Sequence, residues 1–277
     1  RRRTAFVCGV RAVHVTEVER LDSPKARLAS LIERAFSPLV DTYDANSRAA
    51  LDLLAGLGIE AGRLVYIPNG LDLSEWPARD GEAPRDGAPL ILCAARFVPR
   101  KRHADLVEAL ASLRRDGQSF RAVLAGDGPT LEHSRALASR LGLDGCVEFP
   151  GSIGTDEMRR LLDAAAVACL PSAWEGMPGA LMEAMASRVA VVGTDVGGTN
   201  ELVVDGESGL LVPAYDPPAL ADALARLLHD QELRERIASG GRRRIEECFS
   251  IDVMVDAKQQ LFRELAGRAS APPSRAA

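Results

Sequence analysis

The residues best suited to chemistry in this chain lie in one stretch, Pro171-Ser172-Ala173-Trp174-Glu175-Gly176-Met177-Pro178-Gly179-Ala180-Leu181-Met182-Glu183. It holds two carboxylates, Glu175 and Glu183, eight positions apart. Between them a loop broken by Gly176, Pro178 and Gly179 opens an apolar helical run. Glu175 then sits on the loop, and Glu183 about one turn inside the helix. A helix start leaves backbone N–H groups without partners and favours negative charge beside them. Carboxylates accept hydrogen bonds from hydroxyls, and bare N–H groups donate to phosphates. Together they suit a ligand that carries both, and a nucleotide-sugar is such a ligand. Two glutamates at this spacing also occur by chance, so the whole string carries the reading and the spacing alone does not.

A second set of candidates follows an apolar run at Cys93-Ala94-Ala95-Arg96-Phe97-Val98-Pro99-Arg100-Lys101. Open α/β sheets bind ligands at the carboxyl ends of their strands. There Arg96 offers a forked donor and Lys101 a compact point charge, both suited to a pyrophosphate. Read by residue chemistry alone, Arg100-Lys101-Arg102 is a solvated basic loop. Gly126-Asp127-Gly128 is a tight turn after a strand, and Phe149-Pro150-Gly151-Ser152-Ile153 another strand end. Gly197-Gly198-Thr199-Asn200-Glu201 reads as a turn and helix cap.

These residues need a frame. From Leu90 onward short apolar runs alternate with helical periodicity. Strands are expected at Leu90–Ala95, Arg121–Gly126, Val147–Pro150, Val167–Leu170, Ala190–Thr194 and Gly209–Val212. Helices are expected at His103–Asp116, Thr130–Leu141, Thr155–Ala165, Gly179–Ser187, Thr199–Val204, Pro217–Leu228, Gln231–Cys248 and Ile251–Gly267. Continuous apolar strands alternating with helices predict an α/β fold, a doubly wound parallel sheet covered on both faces. Before it come strands at Ala5–Val10, Thr42–Asn46 and Leu64–Ile67, a helix capped by Ser47, and a helix over Ala26–Val40 that reads as core-facing rather than as a membrane-surface helix, since it carries little excess positive charge. The expected division is 1–75, an interdomain linker at 76–89, a ligand-binding domain at 90–250, a helix at 251–267 crossing back to the N-terminal part, and a disordered tail at 268–277.

Composition narrows the function. The 277 residues are 47% hydrophobic and 26% charged, as in an ordinary globular protein. A net charge of −5 argues against nucleic acid as a partner. Five cysteines form an odd set without metal-ligand spacing, and the four histidines do not cluster. Free thiols in a reducing cytoplasm, and no metal, are expected. No apolar run approaches the length of a membrane span, and Arg11 breaks the short run behind Arg1-Arg2-Arg3 that would otherwise suggest a signal peptide.

The string Pro-Ser-x-x-Glu-Gly-x-Pro, with its second glutamate, resembles the donor-binding signature of the family 4 glycosyltransferases (glycosyltransferases group 1). The resemblance covers about Val7 to Leu265 and implies the GT-B fold of two Rossmann-like domains. The donor domain is expected to be whole, and residues 1–75 a remnant of the acceptor-side domain. Arg96 and Lys101 match the family's Arg and Lys spacing, which implies that they bind the donor diphosphate and stabilise it as it leaves. Glu175 would hold donor-sugar hydroxyls and Glu183 the ribose. The substrate-binding set implied is Glu183, Gly176, Met177, Pro178, Gly179, Ala180 and Leu181, with Gly126 and Asp127 near the cleft and Gly151 and Ile153 by the base. The family transfers sugar with retention, without a cofactor or metal, most often from UDP-sugars. The acceptor stays unknown, and peripheral membrane contact would run through the absent domain. Ala95 departs from a usual Gly, and Arg188-Val189-Ala190 from a usual Gly-apolar-Pro. Two other readings remain: a nucleotide-sugar-binding module that needs a separate acceptor-domain subunit, and a sugar-nucleotide epimerase of the same fold.

Overall fold

A computed structural model describes residues 4–10, 31–32, 34–79, 81 and 87–270. The chain divides into two compact units, Arg1–Gly70 with Ser250–Ala277, and Leu71–Phe249.

In the first unit, β1 (Val7–Val10), β2 (Thr42–Ala45) and β3 (Leu64–Tyr66) form a parallel sheet in that order. Helix α1 (Arg48–Gly56) starts where the Ser47 side chain accepts the Ala50 N–H at 3.3 Å. Of the helix expected over 26–40, residues 26–30 and 33 lie outside the described residues, and the segment closes in a 3₁₀ turn at Ser37–Leu39. It is not core-facing: Leu31, Ile32, Phe36 and Leu39 are 50–65% exposed. Helical spacing marks an apolar face, but it does not say whether another element covers it.

The second unit carries six parallel strands: β4 (Leu90–Ala94), β5 (Arg121–Ala125), β6 (Val147–Gly151), β7 (Ala165–Leu170), β8 (Ala190–Thr194) and β9 (Leu210–Val212). Their order is β6-β5-β4-β7-β8-β9. The connections run outward to one side and then reverse, so the sheet has its switch point between β4 and β7. A crevice opens at the carboxyl ends of such a pair. The connecting helices are α2 (His103–Arg115), α3 (Leu131–Arg140), α4 (Thr155–Ala164), α5 (Gly179–Ala186), α6 (Thr199–Leu202), α7 (Pro217–His229) and α8 (Gln231–Cys248). Successive strand residues serve opposite faces. Ile91 and Cys93 pack with α2, α3 and α7, while Leu90 and Leu92 pack with α4 and α5. Burial on both faces is why these strands read as continuous apolar runs.

Trp76 belongs to this unit's core, against Leu90 and Met158. Arg242 Nη1 donates to the Trp76 carbonyl at 2.9 Å and to the Ala186 carbonyl at 2.6 Å. The division therefore falls between Gly70 and Leu71, not within the expected 76–89; residues 80 and 82–86 of that stretch lie outside the described residues. The last helix, α9 (Ile251–Ser270), belongs to the first unit, where Leu261 and Leu265 pack on Ile67. It runs three residues past the expected end at Gly267; of the expected tail, 271–277 lie outside the described residues. No described helix is long and apolar enough to cross a membrane.

Candidate functional site

The loops after β4 and β7 meet at the switch point. Lys101 closes a 3₁₀ turn (Pro99–Lys101), and its Nζ pairs with Glu175 Oε1. Ser172 Oγ donates to the same oxygen at 2.5 Å. Glu175 is only 5% exposed, so its charge depends on these two donors. The loop is fixed by its neighbours as well. The Ala173 N–H donates to the Arg100 carbonyl at 2.7 Å, Thr194 Oγ1 donates to the Ser172 carbonyl, and the Gly198 N–H donates to the Glu175 carbonyl at 2.8 Å. Gly197 and Gly198 are needed for this approach. A Cβ on Gly198 would lie 1.5 Å from the Gly176 oxygen, and one on Gly197 would lie 2.2 Å from the Glu175 oxygen and 3.4 Å from Trp174 Nε1.

Glu183 has a different setting. It lines an open cleft of about 370 Å³ together with Trp76, Ala95, Gly126, Ile153, Met158 and Ala180. Among the described residues no side chain or N–H donates to its carboxylate. Burial raises its pKa from the usual carboxylate range to about 7. Below it α5 begins without a side-chain cap and without an acid in its first turn. Leu181 and Met182 turn their N–H groups onto the Pro178 carbonyl at 3.1 Å, while those of Gly179 and Ala180 have no acceptor among the described residues. The helix ends in paired bonds, Val189 N–H to the Ala184 carbonyl (2.9 Å) and Arg188 N–H to the Met185 carbonyl (3.0 Å), with Arg188 left-handed at φ 59°.

The other expected residues divide into those at the cleft and those spent elsewhere. Gly126 and Ile153 line it. Gly126, at φ 141°, also faces the neighbouring loop: its Cβ would lie 2.0 Å from the Ala95 oxygen. Ala95 takes an ordinary backbone conformation, so its methyl costs no strain. The Gly151 carbonyl accepts the Gly126 N–H at 2.7 Å, and the exposed Asp127 turns its carboxylate onto the Gly128 N–H at 2.7 Å. Arg96 is exposed, without a partner among the described residues. Gly176, Met177 and Pro178 are buried in the loop, and Leu181, 1% exposed, packs in the core. The Leu181 side chain and N–H are both used within the protein. No group of three or more His, Cys, Asp or Glu side chains placed to hold a metal ion occurs among the described residues.

A family model described as Glycosyl transferases group 1 matches residues 74–244, more than half of the chain. The chain belongs to this family. Among its relatives is the "Putative colanic acid biosynthesis glycosyltransferase WcaL" of Salmonella typhimurium, 34% identical over 227 residues, 78% of this chain and 54% of the relative. Another is an "Alpha-D-kanosaminyltransferase" of Streptomyces kanamyceticus, 32% identical over 180 residues, 65% of this chain and 47% of the relative. The chain spans about half the length of the curated relatives it matches. Among solved structures, a sucrose-phosphate synthase of Thermosynechococcus elongatus superposes with a TM-score of 0.82 at 26% identity, covering 95% of this chain and 68% of the other. An Anabaena protein, HepE, solved with UDP-glucose, superposes at 0.80 with 22% identity, covering 95% and 72%. The fold of this group 1 glycosyltransferase chain is the GT-B kind expected from its sequence.

Reading the sequence of this glycosyltransferase missed Ser172, Thr194, Trp76 and Met158 as parts of the site. Ser172 lies three residues before Glu175, and that spacing is its signal. Trp76 had none, because the tertiary fold alone brings it under Glu183's cleft.

Proposed function

We propose that the chain is the donor-binding part of a retaining glycosyltransferase that moves a sugar from a nucleoside-diphosphate sugar, with UDP-sugars first, to a glycan, lipid or small-molecule acceptor. The observation that supports this best is the Lys101–Glu175–Ser172 cluster at the switch point, beside a bare helix start and the lone Glu183 carboxylate. As the bond between sugar and phosphate breaks, negative charge grows on the diphosphate and the sugar becomes electron-poor. Lys101 and the free N–H groups of Gly179 and Ala180 are fixed donors for that growing charge, and the exposed Arg96 adds a mobile one; together they favour the transition state over the ground state. On this reading they do the work that a divalent metal does elsewhere. Glu175 keeps acceptor capacity beyond its two donors for hydroxyls of the sugar. Glu183 accepts from the ribose.

The test is calorimetric titration with UDP, GDP and ADP, with and without a chelator, repeated on Lys101→Ala and Glu183→Ala. Selective, chelator-resistant binding that weakens in both variants is expected. Equal affinity of both variants with the parent would sink the assignment. A second reading is a nucleotide-sugar-binding module that transfers only with a separate acceptor-side chain. It predicts binding without donor hydrolysis or transfer until that partner is added.

A further inference from the structure

Three non-glycine residues among those described take the left-handed backbone conformation: Arg102 (φ 52°), Arg188 (φ 59°) and Tyr215 (φ 62°). Arg188 belongs to the end of α5. The other two meet, with the Arg102 guanidinium 4.6 Å from the centroid of the Tyr215 ring. Arg102 directly follows Lys101 and opens α2, while Tyr215 directly precedes Asp216, which caps α7. Glycine takes this conformation without steric cost, whereas other residues keep it only where their surroundings hold them. The holding contacts at Arg102 are specific. Its Nε and Nη2 fork onto the buried Asp105 carboxylate at 2.9 and 2.6 Å, and the Asp105 N–H donates back to the Arg102 carbonyl at 2.9 Å. The guanidinium face is left for Tyr215, whose ring is itself 57% exposed. Removing that ring would therefore open no core cavity.

The left-handed turn at Arg102 sets the direction in which the chain leaves Lys101. We propose that the Arg102–Asp105–Tyr215 clamp is a positioning device for Lys101, with Tyr215 as a positioning residue supplied by the loop after β9. By holding Arg102 left-handed, the clamp keeps the 3₁₀ turn in the form that delivers the ammonium to Glu175. Through that, it serves the diphosphate. The ligand part rests on the function proposed above, while the geometric part does not.

The test compares Tyr215→Phe, Tyr215→Ala, Arg102→Gly and the double variant Arg102→Gly/Tyr215→Ala. The lysines of the chain are Lys25, Lys101 and Lys258. Reductive ¹³C-methylation gives each an NMR signal, and Lys101→Arg assigns the relevant one. In the parent and in Tyr215→Phe, which keeps the ring, the Lys101 signal is expected away from the free-lysine position. In Tyr215→Ala it moves toward that position, and in the double variant it returns, because glycine takes the turn unaided. Calorimetry with UDP and UMP supplies the second readout. Tyr215→Ala is expected to weaken UDP by about tenfold, the size of a contact-level coupling, and to leave UMP, which lacks the terminal phosphate, unchanged. An unmoved Lys101 signal in Tyr215→Ala overturns the proposal, as does equal weakening of UDP and UMP, the mark of general loosening. If the parent binds no nucleotide, the proposed function fails, and the lysine signals still decide the clamp.

Discussion

Glu175 and Glu183 come from one short motif, yet the regions around them are built on opposite principles. The Glu175 loop is fully furnished: Lys101 and Ser172 hold its carboxylate, and Arg100, Thr194 and Gly198 hold its backbone. The Glu183 region is left bare, with a carboxylate raised to about 7 by burial and two helix-start N–H groups without acceptors. A furnished region can hold its geometry before a ligand arrives. A bare one carries unmet hydrogen-bonding capacity that a ligand relieves. On the function proposed above, the contrast makes the Glu175 side the preorganised part of the site and the Glu183 side the part whose hydrogen bonds the ligand completes.

The strongest way to break this contrast is to unfurnish Glu175. Lys101→Ala leaves a buried carboxylate without its counter-charge, a class of change that costs about 3–5 kcal/mol. Urea unfolding is expected to show a loss in that range, and a change below 1 kcal/mol would mean the pair is not structural. Gly198→Ala comes next, since its methyl would overlap the Gly176 oxygen. It should cost about 1–3 kcal/mol by strain and weaken nucleotide binding as the loop shifts; unchanged stability and binding would count against the packing role given to the glycine pair.

Glu183 sharpens the other half through pH. Only its ionised form accepts two hydroxyls fully, so nucleotide affinity should rise about tenfold from pH 6 to pH 8 as protons leave a group titrating near 7. Glu183→Gln should bind with little pH dependence across that range. The same shift acts on folding with the opposite sense. The folded carboxyl holds its proton more tightly than the unfolded one, so stability falls as pH rises from about 4.5 to about 7, and the variant should lose that slope. His103 adds a separate slope. Burial, and then Lys101, lower its pKa to about 4, so the unfolded chain binds more protons between pH 4 and 6.5 and stability rises with pH there. Replacing one group exposes the slope of the other, and replacing both should remove both. The smallest effect lies at the far end of α5. Arg188→Gly relieves a left-handed arginine and should stabilise by about 0.5–1 kcal/mol in thermal unfolding.

Much of the frame was legible because its signals are local. Apolar strands buried on both faces read as runs, as at Ala190–Thr194, and a cap such as Ser47 announces a helix start. The motif string also placed Glu175 on a loop and Glu183 inside the following helix. What stayed hidden depends on distant contacts. That the core takes the Leu181 side chain depends on such contacts. Gly197 and Gly198 looked like a turn and cap, yet their lack of side chains serves the carbonyls of Glu175 and Gly176. The exposure of Leu31 and Phe36 could not be read from spacing, because periodicity defines a face without naming what lies over it.

The two tryptophans give the molecule a built-in reporter. Trp76 lines the cleft under Glu183, and Trp174 sits in the Glu175 loop beside Gly197. The chain has no others. Its indole emission therefore comes only from the cleft beside Glu183 and from the Glu175 loop, and Trp76→Phe or Trp174→Phe would separate the two colours of signal. A nucleotide arriving at the cleft should change the Trp76 component first, so the order of events in the site becomes readable by stopped-flow light alone, with no label attached.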